Sequence, residues 1–119
     1  MAQLRDDQKK ALHVLAYMMF RMGQEDRAGR IYAALAALAP QPAPDRLALA
    51  GLAAVAISRG NGAEALEALR GAMSGAVLSS RQTVLHLMKA QAFWLEGRRE
   101  EARACLDEYL FLAGGGKNA

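Results

Sequence analysis

The chain has 119 residues, of which 53% are apolar, 23% charged and 6% aromatic, and its net charge is +3. That length fits one domain around one core, and the apolar share is too high for a disordered chain. The weak positive charge is interleaved with acids, as in QEDRAGR (24–30) and RREEAR (98–103), and lacks the clustered basic footprint of a nucleic-acid binder.

Alanine and leucine dominate while valine, isoleucine and threonine are scarce, which favours helices over strands. A first helix is predicted over 7–21 and a second over 25–38, with Gly23 in the turn between them. The stretch QPAP (41–44) breaks the chain, because prolines there cannot continue a helix. A third helix is predicted over 45–59. Asn61 and Glu64 stand at capping-box spacing for a fourth, which ends near Ser74. Ser79 and Gln82 repeat that device at the start of a fifth, which reaches Glu96. The sixth is predicted over 99–112, and the tail 114–119 is expected to fray.

Gly23, Gly60 and Gly97 are spaced 37 residues apart, and other positions fall into columns around them. Ala16, Ala53 and Ala90 stand before each glycine, with Leu12 and Leu15 matched by Leu49 and Leu52. After it come Ala28, Ala65 and Ala102, then Tyr32, Leu69 and Leu106. Self-similarity of this length marks a stacked helical repeat, with units over 9–42, 46–78 and 83–113 in a single domain spanning 1–119.

Each column has a physical reading. The glycine supplies a turn that needs either a positive φ or a close approach. Ala16 and Ala28 are small because the two helices of one hairpin cross there. Tyr32 and Leu35 share a face of the second helix and are expected to bury against the next unit. Pro40 stops that helix. Val77 and Gly114 replace Pro40 in the later units, and His86 and Lys89 replace the two leucines of the third.

In these residues the unit resembles the tetratricopeptide repeat, a helix–turn–helix of about 34 residues. The resemblance implies an all-α superhelix of three antiparallel helix hairpins, with the extra residues lengthening the links between pairs. It also implies a concave surface lined by the first helix of each pair. The positions facing that surface are Lys10, His13, Tyr17, Phe20 and Arg21 in the first unit. They are Leu47, Ala50, Ala54, Ile57 and Ser58 in the second, and Val84, Leu87, Gln91, Trp94 and Leu95 in the third.

This lining is apolar and aromatic, and it leads to the expectation that an amphipathic helix or apolar strip of a partner docks there. Each large apolar side chain buried on binding contributes about 1.5–3 kcal/mol. The alternative reading makes Phe20 and Trp94 plain core residues in a register slipped by one. On the last predicted helix, Leu106, Tyr109 and Leu110 belong to a stripe wide enough to face two neighbours. That stripe calls for a covering partner or a second copy.

Catalytic chemistry is not legible. His13 and His86 have no cysteine or carboxylate at metal-ligand spacing, so no metal is expected. Cys105, the only cysteine, rules out an internal disulfide, fits a reducing compartment and reads as an inert thiol. Neither GNGAEA nor AGGGKNA has the order of a phosphate-cradling loop. Glu100 and Glu101 read as solvent-facing acids without a pocket. A binding protein that is not an enzyme, with no cofactor, is the expectation. The charged opening MAQLRDDQKK has no signal-peptide shape, and the most apolar run, 47–57, is too short to span a bilayer.

The free-standing three-unit chain, with LHVLAYMMFRMGQEDRA near its start and EGRREEARACLDEYLFL near its end, resembles the tetratricopeptide chaperones of bacterial type III secretion. Within them it is most similar to the YscY (SctY) family, over residues 10–116. That likeness implies a bacterial cytoplasmic chaperone for an export component of the YscX (SctX) kind, delivered to the export gate protein SctV. The needle-subunit co-chaperones of the YscG kind are similar in size and form the runner-up, and a tetratricopeptide scaffold that self-associates through the last helix, with no export client, is the alternative of another class. Translocator chaperones of the SycD kind are longer and carry an extra N-terminal region. Chaperones that clamp a terminal carboxylate want asparagines where this chain has Tyr17 and Ala54, so the implied ligand is apolar.

Overall fold

The computed structural model describes residues 5–39, 45–74 and 83–114, which contain six helices and no strand. They are α1 (Asp6–Arg21), α2 (Glu25–Leu38), α3 (Arg46–Ser58), α4 (Gly62–Met73), α5 (Thr83–Leu95) and α6 (Arg99–Ala113). The chain is all-α, and apart from the start of α5, which adjoins residues outside the description, the helix bounds lie within one residue of those predicted. The break at 41–44, Pro40, Val77, the Ser79–Gln82 cap and the tail 115–119 lie outside the described residues.

Three glycines turn each pair of helices into a hairpin. Gly23, Gly60 and Gly97 have φ of 82°, 75° and 75°, and are the only described residues in the left-handed region. A side chain added at any of them would meet nothing within 4 Å. The column therefore serves backbone conformation and not close approach. The amide after each glycine then donates back to the helix it leaves: Gln24 to the Met19 carbonyl at 2.8 Å, Asn61 to Ala56 at 2.8 Å and Arg98 to Phe93 at 2.9 Å.

Side chains satisfy the free amides at several helix starts. Asn61 Oδ1 accepts from the Glu64 amide at 3.1 Å, as its spacing predicts. Asp45 Oδ1 accepts from the Ala48 amide at 3.0 Å and caps α3. At α1 the Gln8 side chain accepts from the Arg5 amide at 2.8 Å, a cap that no Ser, Thr, Asn or Asp announces. The end of α2 is marked by Ala39 in extended conformation.

The core is built junction by junction. One cluster joins Ala16, Ala28, Tyr32 and Leu35 of the first hairpin to Ala48 and Val55 of α3. A second joins Ala53, Ala56, Ala65, Leu69 and Ala72 of the next hairpin to Leu85 and Ala92 of α5. Each cluster is thus one hairpin closed by the first helix of the following one. Alanines at the crossings let the helices approach closely, so Leu69 is the largest side chain with under 2% exposure. The result is elongated, 50 × 28 × 25 Å, with a radius of gyration of 14.9 Å. A globular chain of this length has about 13.5 Å.

Candidate partner-binding cleft

Among the described residues, nothing covers the third hairpin as α3 and α5 cover the other two. Register mates make the difference plain: Tyr32 and Leu69 are 7% and 1% exposed, whereas Leu106 is 40% exposed. Tyr32 lies under Gly51 of α3, so closely that a Cβ on that glycine would collide with the ring. Gly62 lies against the Ala92 carbonyl and the Glu96 side chain at the start of α4. No described helix plays that part for α6.

What remains is a cleft of about 940 Å³ between α5 and the first half of α6, bordered by the end of α3. Leu87, Ala90, Gln91, Trp94 and Leu95 of α5 form one wall, Ala102, Arg103 and Leu106 of α6 the other, and Ile57 closes one end. Arg99, Ala102 and Leu106 of α6 match Gly62, Ala65 and Leu69 of α4, all three of which α5 touches or covers. The cleft lies where one more helix would close the third hairpin as α5 closes the second.

Six sequence-predicted positions meet there: Ile57, Leu87, Gln91, Trp94, Leu95 and Leu106. The Trp94 ring is 59% exposed, with the Arg99 guanidinium stacked 5.2 Å from its centre. Phe20 and Ile57, its mates, lean instead on the two core clusters. One column thus holds both readings, groove and core. Tyr17, Leu47 and Leu110 are exposed at other places on the surface, and Ala54 and Tyr109 are half-buried.

His13 belongs to a structural contact. Its Nε2 lies 3.1 Å from Asp45 Oδ2, which ties α1 to the capped start of α3. Its ring also packs 6.2 Å from that of Tyr32. Burial, helped by the nearby Tyr17, pushes the Tyr32 phenol above its ordinary range.

The acids at 100 and 101 part company. Glu101 binds Arg98 on the surface, whereas Glu100 lines the cleft beside Arg99 and Arg103. The expectation that Glu100 lacks a pocket is therefore corrected, and its cause is the open end of the stack. Sequence periodicity places Glu100 on the polar side of α6 but does not reveal that the slot begins there. Arg99 and Arg103 were likewise missed, because charged residues on a helix face carry no signal of what opens beside them.

Cys105 is half-buried; desolvation raises its thiol above the ordinary range, against the pull of Lys89 and with a push from Glu101 and Glu108. A raised thiol is less thiolate at neutral pH and a poorer nucleophile. Among the described residues no three metal-ligating side chains cluster, and no helix is long and apolar enough to cross a membrane. Compared with protein-family models and with curated proteins, the chain matches none.

Proposed function

We propose that the chain is a type III secretion chaperone of the YscY (SctY) kind, a cytoplasmic binding protein of tetratricopeptide architecture without catalytic activity. Its client is an apolar helical segment of an export component resembling YscX (SctX), which it keeps folded and hands to the export gate protein SctV. The single observation that carries this reading is the open slot of about 940 Å³ walled by Leu87, Trp94 and Leu106. A client helix laid there reproduces the way α5 closes α4. Its contacting face needs small residues where the helices cross, because α5 presents Ala92 at the equivalent place.

The rim adds a charge requirement. Glu96 of α5 lies against Gly62, and the register mate of Gly62 is Arg99. A carboxylate on the client at the position of Glu96 meets that guanidinium, with Arg103 close by on the same wall. Trp94 supplies a large, rigid contact of the type that dominates binding energies.

Co-purification with a co-expressed YscX-like partner tests the reading. Trp94→Glu should abolish capture while leaving the helical circular dichroism unchanged, because the side chain is mostly exposed in the free chain. Full capture by a folded Trp94→Glu, Leu106→Glu double variant overturns it. Phe20 is unsuited to this test, since it packs on the first core cluster.

A further inference from the structure

We infer that the chain stacks head to tail on a second copy of itself, the outer face of α1 in one copy filling the α6 slot of the other. This rests on the repeat register and holds whatever the client is. The face of α3 that closes the first hairpin carries Gly51 and Val55, and the face of α5 that closes the second carries Met88 and Ala92. Their mates on α1 are Val14 and Met18.

The burial of this column shows what each face does. Val55 and Ala92 are 5% and 0% exposed beneath the preceding hairpin, while Val14 and Met18 are 58% and 51% exposed. Leu106 is the complementary half, bare where Tyr32 and Leu69 are covered. A single chain therefore displays both halves of a junction that it already makes twice within itself. Continuing that junction between molecules needs no new packing solution.

The rim charges agree. Arg59 of α3 pairs with Asp26 of α2 where the first junction closes. In the intermolecular junction, Glu100 is the mate of Asp26, and Arg21 stands one residue before the mate of Arg59. Both are exposed and of opposite sign. Arg99, on the same rim, lies 5.2 Å over the Trp94 ring.

Such a contact is heterologous: different surfaces meet, so each added copy leaves one α1 face and one α6 slot free. Association does not stop at a dimer. A second copy and a client helix fill the same slot, so a client dissolves the stack.

Sedimentation velocity on the pure chain provides the test, with Met18→Glu to block the α1 face and Leu106→Glu to block the slot. The wild type should show an average mass that climbs with concentration past the dimer. Each variant alone should be monomeric, and an equimolar mixture should form a one-to-one dimer through the two intact faces. A wild type monomeric at every concentration overturns the inference. So does a mixture that stays monomeric, or a Met18→Glu variant that still pairs with itself.

Cross-linking gives an independent readout that does not depend on the charged variants folding. Gly51 meets Tyr32 inside the chain, so the intermolecular pair is Val14 with Leu106. In a Cys105→Ala background, Val14→Cys with Leu106→Cys should oxidise to a ladder of covalent oligomers. Either cysteine alone should give much less covalent dimer. Efficient dimerisation of a single-cysteine protein marks a symmetric contact and rejects head-to-tail stacking.

Discussion

Leu69 and Leu106 are the same residue at the same place in successive hairpins, yet one is 1% exposed and the other 40%. The internal junction has α5 laid across it; the end face has no described helix upon it. Burial in this architecture is therefore a property of the next unit and not of the residue. Stability spreads by nearest neighbours, and the α6 face is the one that no described helix covers.

The sharpest way to break this comparison is to truncate both leucines. Leu69→Ala should cost about 2–5 kcal/mol, since it empties the largest fully buried side chain. Leu106→Ala should cost less than about 1 kcal/mol in the monomer. Urea unfolding followed by circular dichroism, at a concentration where the chain is monomeric, measures both. Equal losses would mean that the end face is packed as tightly as the interior.

A second experiment adds volume instead of removing it. Gly51→Ala forces a methyl into the Tyr32 ring and should destabilise by about 1–3 kcal/mol. Its mate Val14 is exposed, so Val14→Ala should change stability by no more than about 0.5 kcal/mol. Thermal melts of the two variants decide whether the α3 face is confined and the α1 face free.

The smallest effect concerns the third hairpin alone. His86 occupies the column of Leu12 and Leu49, and its buried Nε2 has no hydrogen-bond partner among the described residues. His86→Leu should stabilise the chain by about 1 kcal/mol, because it removes an unsatisfied polar atom and restores the column. A lower melting temperature for that variant would show that the imidazole makes a favourable contact there.

The fold was largely legible because its signals are local. Gly23, Gly60 and Gly97 announce the turns through the backbone that glycine alone adopts at low cost, and Asn61 announces a cap. The Arg5–Gln8 cap escaped, since arginine carries no capping signal, and so did the Asp45 cap, because Asp45 was read as the first residue of the helix. The site was legible in part. Ile57, Leu87, Gln91, Trp94 and Leu106 do converge, but Tyr17, Leu47 and Leu110 stand elsewhere on the surface. A groove list drawn from register treats the three units as equal, whereas the slot lies where no described helix covers a unit.

By itself the sequence determined the six helices, their pairing into hairpins and the 37-residue register. Helix periodicity, capping and the left-handed turn are settled within a few residues of the chain. Only the tertiary structure decided which members of a column are core and which are surface. Phe20 and Ile57 rest on packed clusters while Trp94 faces solvent, and Glu100 borders a cleft. The reason is that burial depends on the helix that arrives next, and a side chain carries no record of whether one does.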